Sequence, residues 1–273
     1  MTGQVGSRFI GMVMGLETTI NPFASHQAWQ EMAHLSPAER YARIMREPDL
    51  RRTLWQDLPQ SAHIKWIAKT LERAFALGQE MDYEPAPENA VAKLAENAGR
   101  DRFDLALELM LEGGGKGLLI HPFENYTDGN LENVRTMLTH PNCVAGLADA
   151  GAHVGVIADH SSATTLLTLW GRDRTRGEKL PLEFLVRKQT LDTARAYGFK
   201  DRGVVAPGMR ADINLIDFDA LRVRAPEVRY DLPAGGKRLV QLPEGYRHTF
   251  CAGVETFCNG EATGALPGRL IRG

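Results

Sequence analysis

Between residues 117 and 197, short apolar segments alternate with amphipathic helical ones, and this alternation constrains the fold more than any other feature of the chain. Strands are predicted at residues 117–120 and 144–147, and helices at 131–140, 162–170 and 180–197. Alternation of this kind is typical of α/β proteins whose strands run parallel beneath covering helices. We therefore expect an α/β fold with a parallel sheet.

The segments before residue 117 are predicted to be one strand followed by helices. Residues 4–16 are apolar and spaced by glycines, like a buried strand that runs into a loop. Ser36, Pro37 and Glu39 form the capping pattern of a helix start. Further helices are predicted at residues 48–58, 63–79, 87–98 and 101–111, the last capped by Asp101.

The chain changes character after Arg202. Strand patterns at residues 211–218, 238–242 and 249–255 are followed by Asn259-Gly260, a dipeptide favoured in tight hairpin turns. The sequence therefore predicts two domains, an α/β part at residues 1–200 and a β-rich module at residues 201–273.

Composition excludes several classes of protein. The chain carries 32 Lys and Arg against 34 Asp and Glu, so it lacks the positive field of a dedicated nucleic-acid binder. Its apolar stretches are shorter than the roughly 20 residues of a membrane helix, and its three cysteines fit no disulfide framework. We expect a cytoplasmic protein with no nucleic-acid or membrane partner.

Polar residues follow the strand predicted at 144–147. Asp149 and His153 lie there on a loop rich in glycine and alanine, and Asn125 follows the preceding strand. Loops after parallel strands meet at one edge of a sheet, where α/β barrels place catalytic groups. The alternatives are ordinary ones, since Asp149 can form a turn and His153 can be a surface loop residue.

Other residues are weaker candidates. His121 and Tyr126 share the predicted rim with Asn125, while His160 also fits an ordinary helix start. The run Arg172, Arg174 and Arg176 could pair with an anionic substrate group or form a solvated charged loop.

Several familiar motifs are missing from the sequence. There is no G-x-S-x-G elbow, and Cys143 is predicted to lie in or before a buried strand, where a thiol is usually inert. The eight histidines include no H-x-H pair that could hold a metal from one element.

Three stretches together resemble the C-terminal part of the amidohydrolase superfamily, in its N-acyl-D-amino-acid deacylase (D-aminoacylase-like) branch. They are GLADAGAH at residues 146–153, TLDTARAYGFKDRGVVAPGMRADINLIDF at 190–218 and NGEATGALPGRLIR at 259–272. The resemblance implies the last units of a metal-dependent TIM barrel followed by a small β-sandwich. Two departures are Ala148 in place of serine and Leu191-Asp192-Thr193 in place of Asn-Pro.

The resemblance implies a zinc-dependent hydrolase that cleaves the amide of an N-acyl-D-amino acid. Asp149 matches the family's catalytic aspartate, so the resemblance implies that it acts as general base and then acid and that it is also a metal ligand. His153 and Asn125 would contact the substrate. We expect a small-molecule amide as the binding partner.

The metal-binding histidines of the family's earlier strands have no counterpart in the sequence. We therefore expect an incomplete barrel, and two alternatives to a complete enzyme stay open. One is a non-catalytic subunit that completes the barrel of an N-terminal partner chain or assembles as a homo-oligomer. The other is a truncated product without function.

Overall fold

A computed structural model describes residues 1–78, 81–148 and 151–271. In the first half of the chain the strands and helices are β1 (Gly3–Gly6), β2 (Ile10–Gly15), α1 (Gln27–Glu31), α2 (Pro37–Arg46), α3 (Pro48–Gln56), α4 (Ala62–Leu71), β3 (Phe75–Leu77), α5 (Val91–Asn97), α6 (Arg102–Gly115), β4 (Leu118–Glu124) and α7 (Glu132–Thr139). The second half contains β5 (Cys143–Gly146), α8 (Ser162–Thr168), α9 (Leu182–Arg187), α10 (Thr193–Ala196), β6 (Ile213–Ile216), β7 (Arg222–Val223), β8 (Glu227–Leu232), β9 (Gly236–Val240), β10 (Pro243–Glu244), β11 (Tyr246–Cys251), β12 (Val254–Cys258) and β13 (Glu261–Ala262). The fold is mixed α/β.

The strand after residue 117 runs in a different direction from the predicted one. β1 and β5 pair in parallel, with Gly3 opposite Cys143 and Gly6 opposite Gly146. β4 instead lies between β2 and β3 and is antiparallel to both. The prediction of a uniformly parallel sheet is therefore wrong at β4.

Burial explains why the sequence did not reveal this direction. The β2–β4–β3 sheet separates two hydrophobic clusters, so that Leu118 and Ile120 pack on one side while Leu119 packs on the other. A strand buried on both faces is a continuous apolar run, which carries no signal for parallel or antiparallel pairing.

The predicted helices are present, although several have different limits. Ser36 and Glu39 form a reciprocal capping box at the start of α2, and the Asp101 side chain accepts from the amide of Phe103 at the start of α6. The helix predicted at 63–79 ends at Leu71, because Phe75 pairs with β4 and starts β3. The helix predicted at 180–197 is divided by a π-helical turn at Lys188–Asp192.

The last seventy residues are rich in strands, as predicted. The largest sheet has the order β13-β12-β11-β6, and β7 with β10 and β8 with β9 form two further pairs. The single strand predicted at 249–255 is wrong, because Ala252 and Gly253 both have positive φ and make a hairpin turn. Asn259 and Gly260, with φ of 48° and 84°, form the expected turn before β13.

Core packing joins the two halves of the sequence. Leu221 and Leu239 belong to the same buried cluster as Val5, Leu166 and Trp170. The domain boundary near Asp201 stays a prediction. No helix within the described ranges is long and apolar enough to cross a membrane.

Candidate functional site

The candidate site lies where β1 and β5 end together. Because the two strands are parallel and Gly6 is opposite Gly146, the loops that follow them emerge at one edge. A Cβ atom on Gly6 would lie 3.7 Å from Nδ2 of Asn125 and 3.7 Å from Cδ1 of Leu147. The half-buried Asn125 and Leu147 therefore lie beside Gly6, where β1 and β5 end.

Three non-glycine residues in the segments that follow β4 and β5 have left-handed backbone conformations. Asn125, Leu147 and His153 have φ of 64°, 60° and 49°, in the left-handed region. For a residue such as leucine, this conformation costs about 1–2 kcal/mol. Strain of this kind persists only where the surroundings enforce it, and it is concentrated at functional sites.

Asp149, the predicted catalytic and metal-binding residue, lies outside the described residues. Before it in the sequence, Leu147 is half-buried and Ala148 is exposed. After it, Gly151 has a φ of 99°. The role of Asp149 therefore stays a prediction.

His153 occupies an anchored loop with its side chain exposed. Its carbonyl accepts hydrogen bonds from the amides of Val156 and Ile157 at 2.7 and 3.1 Å. The next carbonyl, that of Val154, accepts from the amide of Leu239 at 2.7 Å. The backbone of the loop is thus fixed while the imidazole faces solvent, and the substrate contact of His153 stays a prediction.

Of the two other candidate histidines, His121 is placed differently from the prediction, whereas His160 lies in the turn that leads into α8, as the helix-start alternative for it predicted. His121 lies inside β4, opposite Met12, because the strand continues to Glu124 instead of ending at residue 120. Its Nδ1 is buried without a hydrogen-bond partner among the described residues, and burial lowers its pKa. His160 has its pKa lowered by burial too, and its Nε2 accepts from the amide of Gln241 at 3.1 Å.

The three arginines of the 172–176 segment tie loops together, so both predicted roles are wrong for Arg174. Its side chain is fully buried, pairs with Glu84 and Glu132, and lies over the ring of Trp170. The other two arginines donate to carbonyl oxygens. Arg172 donates to the carbonyl of Leu221 at 2.7 Å. Arg176 donates to the carbonyls of Glu84, Pro85 and Gly129.

Tyr126 belongs to the same structural cluster. Its hydroxyl donates to the Pro85 carbonyl and lies 3.0 Å from Nη1 of Arg176. Burial raises the pKa of Tyr126 to about 12. The tyrosine therefore anchors the chain next to Asn125.

A buried polar network directly after β1 was missed by the sequence analysis. Arg8 forms a salt bridge with Asp159 at 3.0 Å, donates to Oγ of Ser161 at 3.0 Å and lies 3.8 Å from the ring centroid of Tyr83. Ser161 in turn bonds the side chain of Gln241. The available signal was that Arg8 is the only charged residue in the apolar segment 4–16.

The network fixes the position of β1 relative to α8. The Ser7 hydroxyl donates to the Ser162 carbonyl at 2.8 Å, and the Trp170 indole donates to the Ser7 carbonyl at 2.6 Å. The cavity beside Arg8 and Asp159 has a volume of about 10 Å³, which is room for one water molecule. The network therefore supports the site and has no room for a substrate.

A large open cavity lies away from this edge. Its volume is about 1120 Å³, and its lining includes Arg172, Arg224, Glu244 and Tyr246 but none of Asn125, Leu147 and His153. Drug-sized ligands usually occupy about 300–1,000 Å³. This cavity therefore does not coincide with the edge at which Asn125 and Leu147 lie beside Gly6.

The described residues do not supply a metal-binding set at this edge. Within the described ranges, the group of His, Cys, Asp and Glu side chains close enough to share an ion is His248, Glu255 and Cys258, on the β11–β12 hairpin. Asn125 and His153 alone do not fit the zinc site that the resemblance implies. A zinc ion at this edge therefore stays a prediction from the resemblance.

Comparisons with known proteins support the resemblance. A model of a family described as "Amidohydrolase family" matches residues 1–257. No curated protein sequence matches the chain.

Solved structures show a partial likeness to the chain. A D-aminoacylase crystal structure is 22% identical in sequence to this chain, with a TM-score of 0.39. A D-aminoacylase studied for its binuclear metal centre is 20% identical, with a TM-score of 0.38. Each comparison covers 71% of this chain and 36% of the other chain. A third structure is an N-acyl-D-glutamate deacylase from Bordetella bronchiseptica, complexed with zinc and a phosphonate inhibitor. It is 23% identical, with a TM-score of 0.38, and the comparison covers 71% of this chain and 37% of the other chain. The chain thus matches just over a third of the length of these proteins.

Proposed function

This chain belongs to the amidohydrolase family, and we propose that it hydrolyses the amide bond of an N-acyl-D-amino acid at the edge formed by β1 and β5. The observation that carries the proposal is the placement of Asn125 and Leu147 beside Gly6, where β1 and β5 end, with both residues in left-handed backbone conformations. Leu147 directly follows the parallel strand β5, and strained backbone of this kind is found preferentially at functional sites.

In the proposed reaction, Asp149 acts first as a base and then as an acid. It accepts a proton from the water whose oxygen forms a bond to the amide carbon, and it then returns the proton to the departing nitrogen as the C–N bond breaks. The products are a carboxylic acid and a free amino acid. The zinc dependence implied by the resemblance stays a separate prediction, tested by metal analysis of the protein.

Asn125 and His153 would position the substrate. The Asn125 amide can donate to a carbonyl or carboxylate oxygen of the substrate and accept from its N–H, because it has both kinds of group. The His153 imidazole is exposed on an anchored loop and would contact the carboxylate of the amino acid. Both would therefore affect substrate binding more than the chemical step.

Amine release from paired N-acetyl-D- and N-acetyl-L-amino acids tests the proposal. The wild-type chain should favour D substrates, and Asn125→Ala should raise KM with a smaller change in kcat. The exposed residue Asp57, remote in sequence, provides the control Asp57→Asn, which should leave both constants unchanged. Absence of D-substrate cleavage, or an Asn125→Ala variant with unchanged KM, would contradict it.

A second candidate is a subunit that completes a barrel together with a partner chain. The observation that favours it is that β1 and β5 form a two-stranded parallel sheet whose outer edges have no strand partner in the described part of the chain. Parallel sheets are normally larger and covered on both sides, and free edges promote association. Sedimentation velocity should then show concentration-dependent association, whereas a monomer at every concentration would argue against this candidate.

A further inference from the structure

The hairpin formed by β11 and β12 places an imidazole, a carboxylate and a thiol on one face. His248 on β11 is directly opposite Cys258 on β12. Paired residues of antiparallel strands project to the same side of the sheet, so these two side chains are neighbours. Glu255, the third member, is three residues before Cys258.

A β-bulge brings Glu255 to the same face. In a regular strand, residues three apart point to opposite faces. Here Thr249 pairs with Phe257 and Phe250 with Glu255, so Thr256 is an extra residue that shifts the alternation by one. Bulges commonly redirect a side chain in this way. The carboxylate of Glu255 therefore lies on the side of the sheet that carries His248 and Cys258.

The three donor atoms are close enough to share one ion. Nδ1 of His248 lies 2.5 Å from Oε1 of Glu255, and ligand atoms of all three residues are within 4.8 Å of one another. Zinc bonds of about 2.0–2.3 Å in tetrahedral geometry separate the ligand atoms by about 3.5 Å. Small rotations of the side chains would thus be enough to close the set.

The surroundings leave the face accessible and provide further support. The side chains of His248 and Glu255 are 39% and 36% exposed, so an ion can enter from solvent. The ring of Phe250 stacks on His248 with centroids 6.1 Å apart, which restricts the imidazole. On β13, Glu261 is opposite Cys258 and so lies on the same face, where it can supply a fourth ligand.

We propose that His248, Glu255 and Cys258 bind a divalent cation of the zinc type. One imidazole, one thiolate and one carboxylate match the borderline-soft character of Zn²⁺ and disfavour Mg²⁺ and Ca²⁺, which prefer oxygen alone. Binding displaces the thiol proton and replaces the contact between Nδ1 and Oε1 with two bonds to the ion. The site is independent of the proposed amide hydrolysis, since none of its residues lies at the β1–β5 edge.

Titration of the metal-free chain with Co²⁺ tests the site. Wild type should develop the visible bands of tetrahedral cobalt and a thiolate-to-cobalt charge-transfer band, both removed by added Zn²⁺. The thiolate band should be lost in Cys258→Ser and retained in Cys251→Ser, a matched control because Cys251 is on the same hairpin but projects to the other face. Absence of the band in wild type, or its persistence in Cys258→Ser, would overturn the proposal.

A second measurement needs no variant. Zinc should slow alkylation of Cys258 in the wild-type chain, measured by peptide mapping, and leave the alkylation rate of Cys251 unchanged. Equal rates at Cys258 with and without zinc would mean that the His248–Glu255 contact is only an ion pair across the hairpin. Neither measurement depends on hydrolytic activity.

Discussion

The buried charge cluster around Arg174 allows a quantitative prediction of stability. The side chains of Arg174 and Glu84 are 0% and 4% exposed, and they are joined by two hydrogen bonds of 2.8 and 2.9 Å. Glu84 also accepts from the amide of Leu131 at 2.8 Å. Removing one partner from a buried pair costs about 3–5 kcal/mol, because the remaining charge loses its compensation.

The substitution Glu84→Gln keeps the shape of the side chain and removes its charge. The carboxylate of Glu132, 2.7 Å from Arg174 and about half exposed, still offsets part of the buried charge. We therefore expect a loss at the lower end of the range, about 3 kcal/mol. Since domains are stable by about 5–15 kcal/mol, this loss would be large but would leave a folded protein.

Chemical denaturation followed by far-ultraviolet circular dichroism measures this loss as a change in midpoint at constant slope. The matched control is Asp231→Asn, because Asp231 and Arg238 also form two bonds, each 2.8 Å, but are 40% and 44% exposed. An exposed pair contributes about 0–1 kcal/mol. If Glu84→Gln costs no more than Asp231→Asn, the assignment of Arg174 as a buried anchor is refuted.

Three further predictions concern the turn, the core and the pH dependence. Ala252 has φ of 52° in an exposed turn, so Ala252→Gly should raise the free energy of unfolding by about 0.5–1 kcal/mol; a loss would contradict the strain argument. A Cβ on Gly117 would lie 1.9 Å from the carbonyl oxygen of Leu109, so Gly117→Ala should lower the thermal midpoint sharply or prevent folding, and a wild-type midpoint would contradict the contact. Burial lowers the folded-state pKa of His160, so folded protein binds fewer protons than unfolded protein and stability should fall as pH drops from about 7.5 to about 5. Since only the neutral ring accepts from the Gln241 amide, His160→Gln should flatten this dependence, and an unchanged slope would refute the assignment.

Local features of the fold were predictable from the sequence. The start of α2 at Pro37 and the turn at Asn259-Gly260 are decided by residues within four positions of each other. Capping and tight turns depend on short-range hydrogen bonds and on the backbone conformations that particular residues allow. Asn125 was expected to follow the strand after residue 117 and does so, although that strand is antiparallel to its neighbours, and its position beside Gly6 at the end of β1 was not predicted.

Long-range features could not be inferred in the same way. The partners of Arg8 and Arg174 lie 151 and 90 positions away in the sequence, at Asp159 and Glu84, and charged residues in a sequence ordinarily indicate exposure. Only a buried partner changes that expectation. The cluster of His248, Glu255 and Cys258 was missed for a different reason. A search for ligand spacings detects residues on one element, whereas these three residues meet across a bulged hairpin.

The role of Asp149 is the central claim, and the ratio of turnover between wild type and Asp149→Asn tests it most directly. The amide keeps the size of the side chain but cannot accept the proton, so turnover of an N-acetyl-D-amino acid should fall by about 10²–10⁴-fold at an unchanged unfolding midpoint. If Asp149→Asn and wild type release the amino acid at the same rate, the β1–β5 edge is not the hydrolytic site.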